Sequence, residues 1–352
     1  MPQETSTIDL HLQQLTTHVN LADAAITEII INKPGEVLIE RGKGFETLLV
    51  PELDYAWCAS LVSLIGNRES QSLTEEWPLL GGQLPGDLRV QVVAPPAVRA
   101  GTISITIRRP SDEPFTLAQI IEGGAFADTI CEQSLVLDSA VRDSLESKLP
   151  ARAREMLRHF HRKDWTAFFS AAVLTRKNIV SSGATGSGKT TLGNALAALI
   201  PLEERVITVE DTREMRLPHP NQVNLEYKKG EGGLSRLQAR DLLEASLRMR
   251  PDRVLLAELR GTETFFFLQN VLNSGHPGTI TTVHSSGAKA AFRRLALMVK
   301  ASPEGAGLAM PDIMENLFAL VDIVLQMERL PDGRRVVTEV YYDPAFAAHH
   351  FG

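Results

Sequence analysis

The chain has 352 residues, 43% apolar and 22% charged, enough for about two domains with cores of their own and too evenly mixed for wholesale disorder. A formal net charge of −7 makes the surface as a whole a poor match for a phosphate backbone, which argues against strong direct nucleic-acid binding. Apolar stretches stop well short of about 18 residues, the start lacks the parts of a secretory signal, and Cys58 and Cys131 alone, both in helical-looking apolar surroundings, cannot form a disulfide scaffold or a four-cysteine zinc site, so a reducing cytoplasm is expected.

From the N-terminus, Ile8, Leu12, Leu15 and Val19 recur at helical spacing and predict a helix docked on its own domain, with membrane or partner attachment as the alternative. Ile26–Ile31, a turn at Asn32-Lys33-Pro34-Gly35 and Glu36–Glu40 predict a hairpin. A helix is expected over Asp54 to Ile65. Strands follow at Leu88 to Val93 and Thr102 to Arg109, separated by Ala94-Pro95-Pro96-Ala97. Residues 1–110 therefore read as an α+β domain with a mostly antiparallel sheet.

Residues 111–150 mix Pro, Asp and Glu with Gly123-Gly124 and read as an interdomain linker with one or two short helices. A helix over Ala151 to Phe169 starts basic, with Arg152, Arg154, Arg158, Arg162 and Lys163, a pattern that suits a solvated or interface face. After it, β runs alternate with helices: strands at Asn178–Ser182, Arg205–Val209, Val254–Ala257 and Thr279–Val283, helices at Thr190–Ile200, Ala239–Met249 and Thr262–Asn273. That alternation predicts a parallel sheet covered by helices over 151–352. Ile323–Arg329 and Val336–Tyr342, around Pro331-Asp332-Gly333, predict a closing hairpin.

The chemistry begins at Gly183-Ala184-Thr185-Gly186-Ser187-Gly188-Lys189-Thr190, a complete GxxxxGK[ST] loop between a strand and a helix. Glycines let successive backbone N–H groups converge on phosphate oxygens, and the helix adds its positive end. In such a loop Lys189 reaches the β and γ phosphates of a nucleoside triphosphate, and the Thr190 hydroxyl holds Mg²⁺. Hydrolysis also needs acids to hold the metal and orient a water. Strands ending in Glu210-Asp211 and in Glu258 supply them, because ligands sit beyond the carboxyl ends of parallel strands. His276 and His284 bracket the next strand at a spacing unsuited to a shared metal. One imidazole reporting on the γ phosphate is the functional reading; capping or core packing is the other.

Four segments in order, Asn178 to Thr191, Val206 to Met215, Arg253 to Gly261 and Gly275 to Ser285, resemble the Walker A, Asp-box, Walker B and His-box motifs of the secretion traffic ATPases. Ile26–Val37 and Leu84–Arg109 are similar to the branch that serves type IV secretion and conjugation. Ala257 stands where glycine is usual and Thr212 where pilus and type II motors commonly carry proline. No CxxC pair appears in the last third. The last two features favour the type IV branch over a type IV pilus or type II secretion motor, and Ala257 leaves the acid at Glu258 intact.

The resemblance implies an α/β chain: a C-terminal RecA-like P-loop NTPase domain behind a smaller, PAS-like α+β domain. It implies ATP and Mg²⁺ as ligands, with nucleotide contacts from Gly183 to Thr191 and at His276, and the metal at Thr190 and Glu258. Glu210 becomes the water-orienting acid, and His284 or His276 the sensor. Arg89, Arg108 and Arg109 of the first domain match arginines placed over the phosphates; Arg260 is a candidate bridge between subunits or domains. A homohexameric ring is implied, peripheral at the inner membrane, meeting other secretion-system ATPases and channel components. A nucleotide-gated scaffold without useful turnover is the non-enzymatic alternative.

Overall fold

The computed structural model describes residues 6–21, 23, 25–41, 44–109, 114–133, 139–227, 237–273 and 275–351. The chain divides into two compact units, one within Met1–Glu113 and one formed by Pro114–Tyr227 with Gln238–Gly352.

In the first unit, helix α1 (Thr7–Thr16) starts at a capping box in which Ser6 and Asp9 satisfy each other's backbone donors. Its Ile8, Leu12 and Leu15, with Val19 beyond, are buried against its own unit, as the spacing predicts. Strands β1 (Ile26–Lys33), β2 (Glu36–Arg41) and β3 (Gly44–Leu49) precede helix α2 (Tyr55–Glu69); β4 (Leu79–Leu84), β5 (Leu88–Val93) and β6 (Ser104–Arg108) follow it. The sheet runs β3-β2-β1-β6-β5-β4 with every neighbouring pair antiparallel. Alternate residues such as Ile29, Ile31, Ile39, Ile105 and Ile107 join Trp57, Leu61 and Ile65 of α2 in one core. The sequence hides β3 and β4. The first is an almost wholly exposed edge strand, and Gly81-Gly82 interrupts the apolar run of the second.

The second unit opens with α3 (Leu117–Glu122), β7 (Ile130–Glu132), α4 (Ser139–Lys148), α5 (Ala151–His161) and α6 (Trp165–Leu174). Much of the expected 111–150 linker is thus integral to this unit. Leu117, Phe126 and Leu149 enter its core, and β7 pairs parallel with a strand some 200 residues on. Cys131 lies on that strand, not on a helix. The helix expected over 151–169 is two helices: Lys163 is left-handed at φ 55°, and Asp164 accepts a bond from Ala167 N at 3.2 Å to start the second.

Then come β8 (Ile179–Gly183), α7 (Lys189–Ala197), β9 (Val206–Glu210), β10 (Gln222–Glu226), α8 (Ala239–Leu247), β11 (Arg253–Leu256) and α9 (Glu263–Phe266), which continues as a π-helical turn over Phe267–Leu272. Strand β12 (Ile280–Val283), helices α10 (Ala288–Ala301) and α11 (Met310–Leu320), strands β13 (Ile323–Arg329) and β14 (Arg335–Tyr342), and α12 (Pro344–Phe351) complete the unit.

Two ladders, β10-β9-β11 and β12-β8-β13-β14-β7, meet where Leu259 N donates to Thr282 O at 2.8 Å. Hydroxyls stitch the same seam, Thr279 to Val254 O and Thr282 to Ala257 O, both at 2.9 Å. All pairs are parallel except the β13–β14 hairpin. Strands β8 and β9 are buried throughout, because helices cover both faces: Ile179, Ile323 and Leu325 enter one core, Val180 and Val324 the other. One strand, β12, separates the phosphate-loop strand β8 from the acidic strand β11.

Candidate nucleotide site

Glycine geometry builds the loop after β8. Gly186 and Gly188 hold φ values of 75° and 98°, in the left-handed region, and a Cβ on Gly183 would collide with the Met327 carbonyl of the adjoining strand. The Lys189 ammonium closes the loop, donating to the carbonyls of Gly183 and Ala184 at 2.8 Å each. Its buried neighbour Ser187 has a hydroxyl with no partner in the structure. Outside the loop, Arg335 of β14 donates from Nε to Gly186 O at 3.1 Å, a contact that no motif announces.

A polar chain crosses the carboxyl ends of the strands. Lys189 Nζ lies 3.5 Å from His284 Nδ1, and His284 Nε2 lies 3.2 Å from Glu258 Oε1. Glu258 Oε2 accepts from Arg260 Nη2 at 2.7 Å, and Arg260 Nη1 pairs with Asp211 at the end of β9. The two carboxylates beside Arg260 raise its pKa, Glu258 by hydrogen bonding first. A cleft lined by Thr190, Gly193, Asp211, Glu214, Glu258 and Arg260 lies along this chain. Sequence reading left Glu214 without a role, and the structure brings it to the cleft beside Asp211.

Glu210 is fully buried at 0% exposure, does not line that cleft, and ties down the loop after β9. Its Oε2 accepts from the backbone N–H of Glu214 and Met215 at 2.7 and 2.9 Å. Asn194 of α7 holds the other side, donating to Glu214 O at 3.0 Å and accepting from Arg216 N at 3.2 Å. So held, Glu214 reaches the cleft, where its Oε2 accepts from the Thr190 hydroxyl at 2.7 Å. The only sequence signal for Glu214 is its place four residues after Glu210, and three polar residues between them leave its direction open.

Burial pushes the Glu210 pKa up to about 7 from its ordinary 4.5. Hydrogen bonds donated to the carboxylate by Met215 N and the Thr208 hydroxyl, at 2.9 and 3.0 Å, favour the charged form and offset part of that rise. A raised folded-state pKa contributes stability that is present below the unfolded value and lost as pH rises through the folded one. Stability should therefore decline between about pH 4.5 and 7. Glu210→Gln, which keeps an acceptor for the loop N–H groups and removes the titration, should flatten that share of the slope in denaturant melts across pH while retaining most turnover. An unchanged slope would refute the assignment.

His284 and His276 part company. His284 follows the carboxyl end of β12, in the polar chain, whereas His276 precedes the amino end of that strand. Of the first-unit arginines, Arg89 on β5 and Arg108 on β6 are direct cross-strand partners, and Arg109 follows with its N–H bonded to Thr27 O at 3.0 Å. Opposed like charges destabilise a ladder; Arg108 is offset by Glu28 on its other side, 3.8 Å away.

The residues present fit a nucleoside triphosphate with Mg²⁺: a loop whose Gly183 has no room for a side chain and whose Gly186 and Gly188 are left-handed, a cation at its mouth, and the Thr190 hydroxyl on Glu214. Among the described residues no set of three or more acids, histidines or cysteines gathers as a metal cage. Nor is any helix among them long and apolar enough to cross a membrane.

A model of the family described as type II/IV secretion system protein matches residues 155–332. The type IV secretion system protein VirB11 of Bartonella henselae is 42% identical over 332 residues, 94% of this chain and 92% of that protein. Its namesake from Brucella abortus is 39% identical over 344 residues, covering 96% and 91%. Among solved structures, the VirB11 ATPase from the Brucella suis type IV secretion system, crystallised with sulphate, matches at 38% identity with a TM-score of 0.53, covering 98% of this chain and 100% of that one.

Proposed function

The chain belongs to the VirB11 family of type IV secretion ATPases, and from that premise we propose that it hydrolyses ATP at the β8–α7 loop to drive substrate translocation or pilus biogenesis. The observation that carries the site assignment is the convergence of Lys189, His284, Glu258, Arg260 and Asp211 in one polar chain, with Glu214 on Thr190 beside it.

In this reading Lys189 exchanges the carbonyls of Gly183 and Ala184 for β and γ phosphate oxygens, while the loop N–H groups from Gly186 to Thr191 cradle the rest. Thr190 and Glu258 would hold Mg²⁺, which supplies positive charge against the phosphates when bound. Glu214 takes the role expected of Glu210 and orients the attacking water. His284, between Lys189 and Glu258, reports whether a γ phosphate is present. By the resemblance, Arg89, Arg108 and Arg109 are the candidates for neutralising charge that grows on the equatorial oxygens. Arg260 keeps Glu258 and Asp211 in register at the strand ends. His276 has no part in this chemistry.

The name of the relatives supports a place in a secretion system, and the rest of the proposal follows from the resemblance. The working form is a homohexameric ring on the cytoplasmic side of the inner membrane, peripheral to it, in contact with other secretion-system ATPases and channel components. Lys189→Ala tests the site. Turnover measured by phosphate release should fall at least about a hundredfold, with weakened binding of a fluorescent ATP analogue. A variant that hydrolyses ATP near the wild-type rate would overturn the placement; a wild type that binds without turnover would turn the chain into a gated scaffold.

A further inference from the structure

The β13–β14 hairpin touches both sides of the site, and no motif draws attention to it. Helix α10 begins directly behind His284, and its first residue outside, Gly287, has no side chain with which to cap it. The cap comes from β14 instead: Glu339 Oε2 accepts from Ala288 N at 2.7 Å. Gln326 of β13 adds a longer contact to the same turn, from Nε2 to Ser285 O at 3.4 Å. Gln326 is buried, at 2% exposure, and stands between Ser182 and Glu339 in the ladders. Ser182 immediately precedes Gly183. One row of side chains therefore runs from the root of the phosphate loop to the turn that carries His284.

A bulge aims the hairpin both ways. Gln326 pairs with Glu339 and Met327 with Val337, so Thr338 is the extra residue. Period-two alternation would put 335, 337, 339 and 341 on one face. Instead Val337 lies in the core on the α7 side of the sheet and Tyr341 in the core on the α10 side. The face changes at Thr338, which lets Arg335 reach Gly186 O and Glu339 reach the α10 terminus. Bulges beside active sites serve to re-aim side chains in this way.

We propose that Glu339, supported by Gln326, is the positioning residue for His284: the hairpin braces the γ-phosphate sensor against the phosphate loop. The proposal rests on the sensor role assigned to His284 above. A carboxylate at the start of a 14-residue helix also meets the positive end of the helix dipole, so the brace holds the turn whether or not nucleotide is bound.

The test is a double-mutant cycle on the full chain, reading kcat and KM for ATP in the presence of Mg²⁺. Glu339→Ala should lower kcat between about tenfold and a hundredfold, as expected of a misplaced catalytic group, with KM changed by less than roughly threefold. Glu339→Gln, whose amide oxygen still accepts from Ala288 N, should recover most of the loss. Added to His284→Ala, Glu339→Ala should cost nothing further, because it acts through a side chain already gone. Full kcat in Glu339→Ala, or losses that multiply in the double variant, would overturn the proposal. If His284→Ala alone turns over normally, the sensor reading fails separately, and a kcat loss in Glu339→Ala would then assign Glu339 elsewhere and overturn the brace. Should Glu339→Ala not fold, Gln326→Met removes the Ser285 contact at similar volume and carries the same cycle.

Discussion

Glu214→Gln should lower kcat for ATP by about 10²–10⁴-fold, the range for loss of a positioned general base, while Glu210→Gln stays within a few-fold of wild type. Both residues are glutamates of one short segment, and the contrast between them is decided by where they point. Glu210 spends both oxygens inside the protein, on Thr208 and on the N–H groups of Glu214 and Met215. Glu214 bonds the Thr190 hydroxyl at the cleft. An amide at 214 still accepts one hydrogen bond but cannot take a proton from water, so ATP affinity should hold while turnover collapses. Phosphate release and nucleotide titration on the two variants side by side settle the matter. Collapse in Glu210→Gln with normal turnover in Glu214→Gln would reverse the roles.

Arg253→Ala should destabilise the second unit by about 3–5 kcal/mol, the usual result of removing one partner of a buried pair. Its guanidinium is 1% exposed. Nε donates to Glu204 Oε2 at 2.7 Å, Nη2 to Val173 O at 2.8 Å and Nη1 to Gly278 O at 3.2 Å. One side chain thus joins β11 to the end of α6, the turn before β9 and the turn before β12. Arg176 stays near Glu204, 3.2 Å away, and offsets part of the loss, so the lower end of the range applies to the ion pair alone. The two carbonyls would still be stranded. Arg253→Lys should not rescue, since one ammonium cannot span three directions with fixed geometry. For a unit of this size the expected fall in Tm is about 10 °C; a shift of a degree or two would show that the latch is dispensable.

Legibility followed the range of the forces involved. The phosphate loop was readable because its requirements are contiguous: glycines for left-handed backbone, a lysine, a hydroxyl and a following helix. Helix α1 and the first hairpin were readable because one face of each is buried, which imposes a period. Exposure removed that signal from β3, and glycines weakened it in β4. The stretch over 114–150 reads as connector because its composition is that of loops; β7 becomes a strand only by pairing with β14, and such pairing leaves no local trace. Lys163 ended a helix in mid-pattern through a left-handed backbone that its side chain does not advertise.

The sequence by itself determined the ATPase class, the parallel sheet and the carboxyl-end location of the site, since each depends on local backbone chemistry or on apolar periodicity. Tertiary structure alone decided which acids line the cleft. The direction of Glu210 and Glu214 depends on Asn194 from another helix and on desolvation inside the sheet. His284 and His276 were likewise separated only by strand polarity, and Glu339 was linked to His284 only by a bulge that turns one residue of a distant hairpin. Charge and hydrogen-bonding capacity are written in each residue, but the direction in which they are presented is a property of packing, and packing joins residues that the chain keeps far apart.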